Sequence, residues 1–271
     1  MNQHPTFRIS DRVAQVDEIR PYQRRRTDPV SRPLRVFALD PAESRRVGAL
    51  ATIDVPFEEL EPGPVGARFK VDDYDQAAGV RYHPVDLNDR DVLIANGLRP
   101  SVMDPRSHQQ MVYAVAMQTY GTFRSALGRE LQWGFHRRDD GARLILRPHF
   151  QQMRNGYYDK QAGAINFGYY DASEAPPGRN LPGGDVFTCL SHDIVTHELT
   201  HALLDGLRPR IGIATNPDTL AFHEGFSDLV AVFQKFTYPK IVKAAIAKSR
   251  GSLDQASVLT DVARQFGHTI G

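Results

Sequence analysis

The segment His197-Glu198-Leu199-Thr200-His201 carries the plainest chemistry in the chain. Histidines four residues apart share one face of a helix, so both imidazoles can reach one ion. At 3.6 residues per turn, Glu198 stands about 100° around from His197. It can therefore lie beside an ion without ligating it and accept a proton from a water there. A catalytic zinc needs a third protein ligand and keeps one position open. Downstream, His223-Glu224-Gly225-Phe226-Ser227-Asp228 can supply it. Glu224 completes a His-His-Glu set. Asp228, four residues on, can accept a hydrogen bond from the outer nitrogen of a ligating imidazole and fix its tautomer. The bland alternative is a pair of surface histidines with an acidic neighbour.

These residues need helices to hold them. The pattern predicts one from about Asp185 to Asp205, with Leu190, Ile194, Ala202 and Leu203 on its packing side and Gly206 as its C-cap. Asn216-Pro217 is a good start for another, running to about Phe236. A long helix opens at Asp104-Pro105, carries Met111, Val112, Val115, Ala116, Tyr120, Phe123 and Leu127 at helical spacing, and is predicted to reach Leu131. More helix is expected after Pro239, including 253–266. Strands are predicted at 34–41, 51–57, 67–71, 142–150, 155–158 and 164–169, and a loop at 176–184. The texture is β-rich first and helical later, an α+β arrangement. Three parts are expected: an irregular segment over 1–33, a β-rich part with the metal helix over 34–206, and the start of a helical part over 207–271.

Composition sets the bounds. The chain has 271 residues with 33 Lys+Arg against 32 Asp+Glu, a formal net charge of +1. That balance argues against a nucleic-acid binder driven by bulk charge, and no window approaches a membrane span. The Arg24-Arg25-Arg26 run reads as a solvated face. The single cysteine, Cys189, excludes an intramolecular disulfide and any Cys-rich zinc module. It reads as a buried small hydrophobe. His108, His136 and His149 read as surface or structural residues rather than ligands. The N-terminus lacks the apolar core of a secretory signal, which leaves the compartment open. Oligomeric state is not readable.

The segment Asp193 to Asp205 resembles the zinc helix of the thermolysin-like metallopeptidases, within the gluzincin group. His223 to Asp228 resembles that family's Asn-Glu-Ala-x-Ser-Asp segment, which carries the third zinc ligand. Arg154-Asn155-Gly156-Tyr157-Tyr158 resembles its edge strand, which pairs with bound peptide. The resemblance covers about 104–236 and implies a zincin-like fold. It implies one zinc held by His197, His201 and Glu224, with Glu198 as general base and Asp228 orienting His197. Asn155 and the backbone of Gly156 would hold substrate main chain by strand addition, with Tyr157 lining the cleft. The implied activity is endopeptidase-type hydrolysis of a peptide or protein.

Four departures stand beside it. His223 replaces the family's Asn, which changes the support for His201. Lys235 stands where an acidic calcium ligand is expected, and Asp193 alone cannot supply six to eight oxygens, so no double calcium site is expected. No match to the family's active-site Tyr occurs in 206–216. Only 47 residues follow Glu224, too few for the usual helical C-terminal part. A zinc-binding homologue without peptidase activity, serving as an interaction module, therefore remains the second reading. A non-protein amide substrate is the third.

Overall fold

The computed structural model describes residues 21–135, 143–172, 183–208, 211, 213, 217–252 and 259. It is mixed α+β. In chain order the strands and helices are β1 (Ser31–Phe37), β2 (Leu50–Pro56), β3 (Phe69–Val71), β4 (Tyr74–Asp75), β5 (Val80–Arg81), α1 (Arg90–Ile94), α2 (Pro105–Leu127), β6 (Leu144–Gln152), β7 (Gly156–Asp159), β8 (Ala164–Asp171), β9 (Asp185–Phe187), α3 (His192–Leu207), α4 (Pro217–Lys235) and α5 (Pro239–Ser249). Strands β1 and β2 form an antiparallel hairpin. The main sheet runs β3-β6-β8-β7, with β9 pairing the far end of β8. Within it β3, β6 and β8 are parallel, while β7 and β9 run antiparallel to β8.

Helix α2 is the centre of the core. Met111 to Met117 are all buried, so the helix is covered on every side rather than along one stripe. Asp104 caps it by accepting from the Arg106 amide at 3.0 Å. The helix stops at Leu127, short of the predicted Leu131, because Gly128 turns left-handed at φ 66°. Its buried polar residues fasten loops to it. Gln110 accepts from Leu98 N at 2.7 Å and donates to the Arg35 carbonyl at 2.8 Å. Gln109 accepts from Val85 N at 2.7 Å and donates to Asp73 at 2.8 Å.

Helix α3 begins at His192, not near Asp185. Residues 185–187 instead extend the sheet as β9, where Val186 packs with Tyr170 and Ala172, and a single 3₁₀ turn over Thr188–Leu190 leads into the helix. Gly206 lies inside the last turn and does not cap it; Arg208 does. A Cβ on Gly206 would stand 1.9 Å from the Gln132 carbonyl oxygen, so close backbone approach explains this glycine. The first strand starts at Ser31, within the segment expected to be irregular, and α1 was not expected. Of the predicted helix over 253–266, all but Leu259 lies outside the described residues, as does most of the loop over 176–184. No helix among the described residues is long and apolar enough to cross a membrane.

Helix α4 packs antiparallel on α3 and is tied to it by a buried ion pair. Lys235 Nζ lies 2.8 Å from Asp193 Oδ2, with side chains 3% and 7% exposed. The other side of α4 leaves Phe222, Leu229 and Phe233 exposed. Removing one partner of a buried pair strands the other charge. Lys235→Met should lower unfolding free energy by about 3–5 kcal/mol, and Lys235→Met with Asp193→Leu should regain most of it. Urea unfolding followed by circular dichroism measures both; a single variant as stable as wild type would remove the pair from the account of α3–α4 packing.

Candidate metal centre

Burial of the apolar side of α3 determines which side chains point outward. Val195, Leu199, Ala202 and Leu203 face the core, which turns His197 and His201 together toward α4. Their Nε2 atoms lie 3.0 Å apart. Glu224 Oε2, from α4, lies 3.2 Å from His197 Nε2 and 3.6 Å from His201 Nε2. Tetrahedral zinc with ligands at about 2.0–2.1 Å sets its donors roughly 3.3 Å apart, so the three atoms fit one such ion. The donor chemistry fits as well: two imidazoles and a carboxylate.

The outer nitrogens are also held. His197 Nδ1–H donates to Asp228 Oδ1 at 2.9 Å. His201 Nδ1 lies 2.5 Å from His223 Nδ1 and 3.3 Å from Ser227 Oγ. With Nδ1–H of His201 donating to His223, Nε2 keeps its lone pair for an ion. Burial lowers His201 to about 3, and His197 and His223 add to it, so the ring is neutral at neutral pH. Burial likewise lowers His223. Residue 223 thus does for His201 what an amide at that position would do, by a different donor–acceptor pair.

Glu198 points the other way, toward the sheet. Its Oε2 accepts from the Tyr158 amide of β7 at 3.0 Å. Burial pushes its carboxyl up to about 8; the Tyr158 amide pulls it down, and the Glu224 charge pushes it up again. A divalent cation among the three donors would lower it, since an opposite charge favours the ionised form.

Strand β7 ends the sheet order, leaving one side without a strand neighbour among the described residues. Gly168 N donates to Asn155 O at 2.9 Å, and Gly156 pairs with Phe167. That register makes Gly156 and Tyr158 the residues whose N–H and C=O face outward, while the Tyr157 backbone faces β8. The Gly156 N–H and C=O thus lie on the edge that β8 does not use, in a residue that is itself buried close to Ile194. Asn155 is exposed and spends its carbonyl on β8, which leaves its side chain to reach outward. Tyr157 contributes a half-buried ring, edge-on to Phe150 at 6.3 Å.

Sequence reasoning missed a second tie between β7 and α3. Tyr158 Oη donates to Asp205 Oδ2 at 3.0 Å, and Lys160 Nζ lies 2.5 Å from Asp205 Oδ1. A signal existed, since Asp205 lies seven residues, about two turns, after Glu198 on the same face of α3. The reading of His108 and His149 as possible surface residues also fails. Both are 1% exposed and stand beside the buried Cys189. His136 lies outside the described residues.

No family model matches the chain, and none of the curated proteins compared matches it.

Glu198 gives a pH test on metal-free protein. Its folded pKa is raised from 4.5 to about 8, so its contribution favours folding below the unfolded value and is lost as pH rises through the folded one. Metal-free Glu198→Gln should melt higher than metal-free wild type at about pH 8, and the gap should close toward about pH 5. A gap independent of pH in thermal melts would show that Glu198 is not held protonated by burial.

Proposed function

We propose that the chain is a zinc-dependent endopeptidase-type hydrolase of zincin-like fold, akin to the thermolysin-like metallopeptidases. One observation carries this reading: three donors from two helices converge, with a buried carboxylate between them and the outer edge of strand β7. A zinc ion held by His197, His201 and Glu224 would supply Lewis acidity, polarising a carbonyl and lowering the pKa of water toward roughly 7. The chain's own groups do the rest. Asp228 and His223 hold the two imidazoles in the ligating tautomer. Glu198, with Oε2 anchored by the Tyr158 amide, takes a proton at its other carboxylate oxygen from the attacking water and passes it to the leaving nitrogen. The outward N–H and C=O of Gly156 pair with an extended peptide, which favours peptide over other amides, and Asn155 and Tyr157 flank that edge. The Lys235 ammonium beside Asp193 weighs against calcium there, since a cation already neutralises the carboxylate.

A zinc-binding module without hydrolysis has one observation in its favour. In the metal-free chain the Glu198 carboxyl, raised to about 8, is largely protonated at neutral pH, and it acts as a base only if a bound cation lowers it.

The test separates the two. His197→Ala with His201→Ala should carry one zinc fewer per chain than wild type by elemental analysis. Glu198→Gln should keep that zinc and lose roughly 10²–10⁴-fold in kcat/KM on an unstructured protein substrate. Zinc retention with no cleavage by wild type would replace the hydrolase reading with the module.

A further inference from the structure

A second group of metal-ligating side chains lies in the core, built from different elements. His108 comes from the first turn of α2, His149 from β6, and Cys189 from the 3₁₀ turn before α3. All three are buried at 1% exposure or less, and their ligand atoms lie within 4.8 Å of one another. The rings of Phe187 and Tyr82 close over the pair of histidines, with centroids 4.8 Å from His108 and 4.7 Å from His149 respectively.

The hydrogen bonds around the two imidazoles dictate their tautomers. His108 Nε2 lies 3.1 Å from the carbonyl oxygens of both Ser101 and Val102. Carbonyls only accept, so Nε2 carries the hydrogen and Nδ1 bears a lone pair. His149 Nδ1 lies 2.7 Å from Asp73 Oδ1, so that nitrogen carries a hydrogen too. Asp73 is itself buried and held by Gln109. The two remaining nitrogens, His108 Nδ1 and His149 Nε2, face each other at 2.7 Å. With both rings neutral, two lone pairs would confront one another in a dry site. Something positive has to lie between them: either a proton, making His149 an imidazolium paired with Asp73, or a metal ion.

We propose that His108 Nδ1, His149 Nε2 and Cys189 Sγ hold a zinc ion, with Asp73 orienting His149. A shared proton needs no third donor, yet a sulfur stands beside the two nitrogens. Zinc takes imidazole nitrogen at about 2.0–2.1 Å and thiolate sulfur at about 2.3 Å, which sets tetrahedral donors roughly 3.3–3.6 Å apart. Small shifts of the three side chains reach that geometry. The charges also balance, since the Cys189 thiolate and the Asp73 carboxylate together neutralise a divalent ion in a site that tolerates no net charge. The carboxylate–histidine arrangement on His149 is the one that fixes ligand orientation in metal sites generally. Such an ion joins α2, β6 and the turn leading into α3 at one point in the core. This inference does not depend on the hydrolase reading.

Cys189 is the only cysteine in the chain, which makes it a specific reporter. Full-length protein refolded with cobalt(II) in place of zinc should show a near-ultraviolet thiolate-to-cobalt charge-transfer band saturating at one equivalent per chain. The band should persist in His197→Ala with His201→Ala and vanish in Cys189→Ala. Failure of the His197 centre therefore leaves this readout intact. X-ray absorption on zinc-loaded wild type needs no variant and should show a sulfur scatterer at about 2.3 Å amounting to one per chain. Refolded wild type with native circular dichroism, no such band and no sulfur scatterer would overturn the proposal and assign a shared proton to the two rings.

Discussion

The hydrogen bond from the Tyr158 amide to Glu198 sets the distance between the edge strand and the helix that bears the two histidines. A strand and a helix can slide and roll against each other unless something fixes both motions. Here a second tie lies seven residues further along α3, where Asp205 meets Tyr158 Oη and Lys160 Nζ. Seven residues is about two turns, or roughly 10 Å, and two points that far apart define both register and rotation. The approach is tight enough that a Cβ on Gly156 would stand 3.1 Å from Ile194 Cγ2. At the helix's end, Gly206 lets the chain pass against Gln132. The outward groups of β7 are consequently next to Glu198.

The opposite flank of α3 is arranged by α4 in antiparallel pairs. Asp193 meets Lys235, His197 meets Asp228, and His201 meets His223. Each histidine thus receives its support and its shared carboxylate from one helix. Rotating α4 by a single residue would turn Glu224 and Asp228 away together, because they sit four apart on one face. The apolar face that α4 leaves exposed is the reverse of the same geometry. Turning Ser227, Ala231 and Gln234 inward turns Phe222, Leu229 and Phe233 out.

The centre at His197 was legible because its information is local. Each helix carries its candidate residues at a spacing that its own periodicity makes meaningful, so two short segments name five side chains. Boundaries were less legible. Asp185 to Phe187 became a strand because β8 offered it a pairing edge, which no property of those three residues announces. Gly206 reads as a cap from its position and is a packing glycine because Gln132 passes beside it. The buried histidines were hardest. His108 and His149 are 41 residues apart, and Asp73 is 76 from His149. Only the assembled core brings them and Cys189 together, and each alone looks ordinary.

The pairing of Lys235 with Asp193 bears on how the outer centre becomes ready. A cation recruited from solution has a concentration that chelators and dilution can lower; a lysine on the same chain does not. Buried as it is, the pair is also little affected by ionic strength. The clasp between α3 and α4 is therefore closed by folding itself, before any ion arrives. Glu224 and Asp228 are brought to the two histidines in advance, so capture of an ion there would cost little ordering of the chain. Loading such a centre and assembling its helices would be separate events, and exchange of the one need not loosen the other.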